Sequence, residues 1–251
     1  MSKGSYITNV PITVPGCVLY LDGNDPNGTG VPPADATAIA TPFDFSGAAN
    51  APTQGTGSKQ ALFKRDIVGS RGALLFDGVD DTYVKTNFEG CSLADYEIYI
   101  AFTSISNFRP CNIQKSDQAS GILQDFALGA TTWRFLHRKP ISTSGGGAQS
   151  VLASAITQNV PVIVNDRRDS AGAIYATNVN KLTADGTVAT SAADALGVGN
   201  NLNLYVGSAA DITFTSGYLH YLIIYNVTHT TAQRQSILRF MANSLGVSLA
   251  A

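Results

Sequence analysis

The chain has 251 residues, a formal net charge of −2 and only 14% charged residues, so it carries no basic footprint for nucleic acid or an anionic membrane. No run approaches the roughly twenty apolar residues of a spanning helix, and a hydrophobic content of 44% excludes wholesale disorder. The length is large for one domain but ordinary for an all-β sandwich or barrel, and it can bury a core without staples.

Two glutamates, Glu89 and Glu97, stand against sixteen aspartates and 24 glycines. Glutamate favours helices, whereas aspartate and glycine favour turns, so the bias points to strands joined by many loops. The N-terminal residues lack the apolar core and small-residue cleavage site of a signal peptide. From Tyr6 to Gly16, Pro11 and Pro15 interrupt a β-prone run, which suits an extended arm better than a central strand. Cys17 to Leu21 then reads as a strand stopped by the Asp22-Gly23 turn. From Asn24 to about Arg71 the chain is rich in Gly, Pro, Ala, Thr and Asn, a long connection expected to contain short strands and to be held by Phe43, Phe45, Leu62 and Phe63.

Strands are expected next at Ala73–Phe76, Thr82–Lys85, Tyr96–Thr103, Gly121–Leu128 and Trp133–Lys139. Others follow at Val151–Ile156, Val160–Asn165, Ala173–Asn178, Leu202–Gly207 and Tyr218–Asn226. One helix closes the chain over about 231–245. Thr230 and Gln233 form a capping box, Ile237, Phe240, Met241 and Leu245 an apolar stripe, and Gly246 a C-terminal cap. The three cysteines, Cys17, Cys91 and Cys111, are an odd set without metal spacing and are expected to form no structural disulfide.

Four stretches carry a resemblance: Val18–Asp22, Asp44-Phe45-Ser46-Gly47, Leu75–Val84 with its Asp77-Gly78-Val79-Asp80-Asp81 turn, and the close from Leu222-Ile223-Ile224-Tyr225-Asn226 through Gly246. In this order they are similar to landmarks of the concanavalin A-like, laminin-G-type jelly-roll domains of bacterial surface and phage virion proteins. His220 and Tyr221 depart from the pattern, standing where an acidic residue is common. The resemblance implies an antiparallel β-sandwich with one C-terminal helix packed on it, as a single domain over 17–251 behind an arm over 1–16. Fold alone does not imply a task.

Catalytic chemistry is sparse. Glucanases of this fold are expected to use a Glu-x-Asp-x-Glu strand, because hydrolysis needs two carboxyl groups flanking the glycosidic bond; two glutamates cannot write that motif. His137, His220 and His229 are scattered, without a nucleophile elbow or zinc spacing. No catalytic, cofactor-binding or metal residue is therefore assigned, and the protein is read as a non-enzyme. Asp77, Asp80 and Asp81 could offer oxygens to Ca²⁺, but the favoured reading is that Asp80 and Asp81 accept backbone N–H bonds and shape a tight Asp-Gly turn. Trp133 alternates with Phe135 and reads as core sooner than as a sugar platform.

These absences, with the resemblance, lead to a virion structural protein of a bacterial virus, on the particle surface, decorating a capsid or forming part of a tail or fibre. Its partners would be other virion proteins and copies of itself. The alternative is a carbohydrate-binding, lectin-like domain recognising host surface glycans. The apolar positions of the arm, Tyr6, Ile7, Val10, Ile12 and Val14, are the expected assembly contact; equally open is that the arm covers an edge of its own domain.

Overall fold

A computed structural model of the chain describes residues 10–88, 95–106, 109–114, 121–125, 132–138, 148–169, 174–183, 186–189, 202–208 and 214–251. In chain order the strands begin β1 (Cys17–Asp22), β2 (Leu62–Val68), β3 (Arg71–Asp77), β4 (Tyr83–Lys85), β5 (Tyr96–Ser104), β6 (Cys111–Gln114) and β7 (Gly121–Asp125). They continue β8 (Thr132–Arg138), β9 (Ala148–Ala155), β10 (Pro161–Asp169), β11 (Ile174–Val179), β12 (Gly186–Ala189), β13 (Asn203–Val206) and β14 (Ser216–Tyr225). A helical turn, α1 (Val10–Thr13), precedes them and α2 (Thr231–Leu245) follows. Among the described residues these strands form two antiparallel sheets. One runs β12-β11-β10-β5-β14-β3-β2 with β1 also on β14, and the other runs β4-β13-β6-β7-β8-β9.

Every residue of β5 is buried, and so is nearly all of β14. The pleat explains how: Ile98, Ile100 and Phe102 point into the layer between the sheets with Phe63, Leu74, Phe76, Leu222 and Ile224. Tyr99 and Ala101 point the other way, with Tyr221, Ile223 and Tyr225, onto Ile237, Leu238, Met241 and Leu245 of α2. A strand covered on both faces reads as a continuous apolar run, which is what these two segments show. Thr230 and Gln233 form the expected capping box, and Gly246 closes the helix in the left-handed region at φ 64°. Phe240 sits at the rim of the stripe, against Tyr221, and Leu238 takes the inner position. No helix among the described residues is long and apolar enough to cross a membrane.

Two strands, β6 and β12, were not expected, and β2 lies where the long connection was expected to hold short strands without placing them. β2 carries Lys64, Arg65 and Asp66 on a sheet edge, and its pairing with β3 slips around Asp66, whose φ is 52°; this bulge hides the period-two pattern. β6 and β12 have only four residues each, too short to show a period. Cys17 and Cys111 are free thiols, while Cys91 lies outside the described residues.

The arm needs correction. Its described part is not extended: Val10–Thr13 is a helical turn with Pro11 near its start, a position that costs no intrahelical hydrogen bond. The Tyr225 hydroxyl donates to the Pro11 carbonyl at 2.8 Å, and Val14 is 8% exposed within the cluster under α2. The boundary drawn before Cys17 therefore cuts through packed structure, and Val14 is closed to a partner. Ile12 stays 45% exposed; Tyr6 and Ile7 lie outside the described residues.

Beneath the start of α2, Glu97 of β5 is wholly buried. It accepts from the Arg234 guanidinium at 2.8 and 3.3 Å, from the His229 backbone N–H at 2.8 Å, from the Tyr99 hydroxyl and from Asn165 Nδ2 at 3.3 Å. Burial alone would raise its pKa, but the bonds from His229, Arg234 and Tyr99 bring it down to about 2. Since this lies below the ordinary 4.5, the stabilisation is complete above that value and is lost as pH falls toward 2. Breaking a buried pair costs about 3–5 kcal/mol. Glu97→Gln should thus lower stability at neutral pH by that order and remove the matching part of the acid limb, as read from urea unfolding across pH. A variant curve parallel to the parent's down to pH 2 would contradict this.

Candidate functional site

β14 is paired along one edge by two strands in succession. Asp77 to Leu74 of β3 pair with Ser216 to Leu219, and Asp22 to Cys17 of β1 then pair with Tyr221 to Tyr225. The ends of β1 and β3 meet there, and β14 shifts register against β5 between Leu219 and Tyr221. Gly23 turns away so tightly that a Cβ would lie 2.3 Å from the Leu219 carbonyl oxygen, and its N–H donates to the His220 carbonyl at 2.8 Å. The position admits only glycine.

At this junction the Arg71 guanidinium donates through Nη2 to both Asp22 oxygens, at 2.8 and 3.1 Å. Its carbon lies 5.1 Å from the centre of the Tyr221 ring, a cation–π contact. Asp22 also accepts from the Asn24 N–H at 2.9 Å, and Asn24 Oδ1 accepts from the Gly72 N–H at 2.8 Å, tying the two strand ends together. Burial pushes the Asp22 carboxyl up against the opposing pull of Arg71 and Asn24. Arg71 feels burial in the other sense, but Asp22 outweighs it and holds the guanidinium charged.

A pocket of about 480 Å³ opens over this pair, within the range of roughly 300–1,000 Å³ usual for small-ligand sites. Asp22, Arg71, Asn24 and Asp25 supply its polar side, and Tyr20, Phe45, Ile12 and Pro32 its apolar side. The Tyr20 and Phe45 rings are 5.4 Å apart, and Phe43, 46% exposed, stacks edge-on against Phe45 at 4.9 Å. Asp44 fixes this aromatic pair in place. Its carboxylate accepts from the backbone N–H groups of Tyr20 at 3.0 Å, Ser46 at 2.9 Å and Asn50 at 2.9 Å, which is the physical content of the Asp44-Phe45-Ser46-Gly47 landmark. Asp25 accepts from Thr29 and Gly30 N–H at 3.1 and 2.8 Å, shaping the loop that walls the pocket.

The other residues singled out by sequence fall elsewhere. Asp77 accepts from Val79 N–H at 2.7 Å and Asp81 from Asp77 N–H at 2.9 Å, so of the two expected acceptors Asp81 shapes the turn, while Asp77 takes the place expected of Asp80. The three carboxylates lie within 4.8 Å of one another, and burial, with Asp77 and Asp80 beside it, pushes Asp81 up to about 6. His220, which departs from the family pattern, is buried against the Thr103 hydroxyl at 2.9 Å, and burial and then Arg71 push its pKa down to about 3. His229 belongs to the Glu97 network. Trp133 and His137 lie on β8, outside the side chains described. Tyr20, Asn24 and Arg71 were not found from sequence, because Asp22 and Arg71 are 49 positions apart and form no motif.

No family model matches the sequence, and no curated protein matches it. Solved structures do resemble it. The binding domain of Paraclostridial Mosquitocidal Protein 1 superposes with TM-score 0.61 at 12% identity, over 91% of this chain and 53% of that one. The botulinum neurotoxin serotype D binding domain gives 0.60 at 9% identity, over 94% and 53%. CBM40 of the Ruminococcus gnavus IT-sialidase, bound to α2,3-sialyllactose, gives 0.50 at 11% identity, over 59% and 83%. The chain thus spans about half the length of the toxin binding domains. At such identities the likeness shows the fold alone, a β-sandwich. The expected bacterial-virus setting gains nothing from these neighbours.

Removing Arg71 would leave Asp22 buried and unpaired. Arg71→Ala should destabilise by about 3–5 kcal/mol, and adding Asp22→Asn should recover part of that loss. Urea titrations of the two single variants and the double variant read this coupling. Strict additivity would show that the pair does not hold the junction.

Proposed function

We propose that the protein is a non-catalytic glycan-binding domain, with its site in the pocket over the Asp22–Arg71 pair. The single observation that carries this is the pocket's two-sided lining. Half-buried Phe45, backed by the buried Tyr20 ring, offers an apolar face on which sugar C–H groups pack, while polar groups opposite it orient hydroxyls. That lining sits on a fold whose solved neighbours include a domain bound to sialyllactose. Support for the absence of catalysis comes from the carboxylates. Asp22 is engaged by Arg71 and Asn24, Asp25 by two backbone N–H groups, and Glu97 by its own network. None of the three is a free acid facing a free base, as glycoside hydrolysis requires.

The virion reading draws on the ordered landmarks of the sequence. On a particle surface, beside other virion proteins and copies of itself, a domain of this kind would be a structural component that contacts host glycans.

A glycan array with the full chain tests the proposal. The protein should retain a defined set of oligosaccharides without releasing reducing sugar, and Phe45→Ala should weaken retention about tenfold, the equivalent of 1.4 kcal/mol, with the fold intact by circular dichroism. Silence across the array, or equal retention by the variant, would overturn it.

A further inference from the structure

Away from the pocket, two guanidiniums share one carboxylate on the face of the eight-stranded sheet that α2 covers. Arg167 of β10 pairs directly opposite Glu97 of β5, so both side chains leave the same face. Arg234 comes down onto that face from α2 and takes both Glu97 oxygens, at 2.8 and 3.3 Å. Asn165 and the Tyr99 hydroxyl complete the carboxylate. Arg167 is left to turn toward β11, where its Nη1 donates to Asn178 Oδ1 at 3.0 Å. It forms no ion pair among the described residues.

Both arginines are 8% exposed, yet neither is sealed. Arg167 Nε and Nη2 and Arg234 Nη1 make no hydrogen bond among the described residues. In contrast to the closed-off Asn178 Nδ2 and Asn165 Oδ1, they reach solvent. A charge held this deep is costly unless an opposite charge meets it. Burial and then the Arg234 charge press the Arg167 pKa below its ordinary value, and Glu97, Tyr99 and Asp169 offset this only in part. α2 begins here with no acidic residue in its first turn, so its positive end adds to the same sign. Two guanidinium edges present more N–H groups than one carboxylate can accept, whereas a tetrahedral oxyanion has oxygens for both.

We infer a second binding site, for a phosphate- or sulfate-type oxyanion, at the open N–H edges of Arg167 and Arg234 beside the start of α2. It shares no residue with the pocket over Asp22 and Arg71 and does not depend on the glycan-binding reading.

Titration of the ¹⁵N-labelled full chain with inorganic phosphate, at pH 7 and constant ionic strength, tests the site at the arginine Nε–H resonances. Those of Arg167 and Arg234 should move along one saturating curve while that of Arg71 stays still, and chloride should move none of them. Arg167→Gln should weaken phosphate binding at least tenfold by isothermal titration. Should that variant fail to fold, Arg167→Lys, which keeps the charge but loses the forked donors, should still weaken it several-fold. Glucose 6-phosphate separates the sources: equal affinity marks a free ion and tighter binding of the ester a phosphorylated sugar, and either supports the site. Shifts that never saturate, a response to chloride equal to that to phosphate, or phosphate binding unmoved in the variants would overturn it.

Discussion

The ion pair between Asp22 and Arg71 is the contact on which this architecture turns. β14 is long enough to accept two strands in sequence along one edge, and both must end where they meet. Strand ends leave backbone groups without ladder partners, and at this place they would be buried. Asn24 bridges the two ends, Gly23 passes close over Leu219, and the carboxylate and guanidinium neutralise each other over the Tyr221 ring. A cavity with charged walls is left where the two strands part, and the aromatic loop around Phe45 closes over it. The candidate site is thus a by-product of how the sheet is assembled, which is why its polar residues are held firmly enough to serve recognition.

A second buried carboxylate does comparable work on the same outer face. Glu97 gathers the N-terminal turn of α2, the segment before it and β10 around one ionised group. Together with the stripe of Ile237, Leu238, Met241 and Leu245, this explains how β5 and β14 stay apolar on both sides in an antiparallel sheet. The helix and the α1 turn occupy the face that solvent would otherwise reach.

The sequence revealed strands and cap well because their signals are local. Thr230, Gln233 and Gly246 lie within one helix length, and Tyr96–Ser104 declares its burial by composition. The Asp44 and Asp77 turns were visible for the same reason, as carboxylates bonding N–H groups a few residues away. Non-local features were hidden. Asp22 and Arg71 are brought together only by the pairing of β14. The arm was misjudged because two prolines suggest extension equally whether the chain is strand-like or begins a helical turn; what decided was Val14 finding space under α2.

The central claim is one of place: ligand enters where β1 and β3 meet, not on the face of the six-stranded sheet. Amide chemical-shift mapping of the ¹⁵N-labelled chain against an array-selected oligosaccharide tests it most directly. The account predicts perturbations concentrated at residues 20–32, at Phe45 and at 70–72. Shifts centred on Cys111–Gln114 and Thr132–Arg138, with the junction silent, would contradict it.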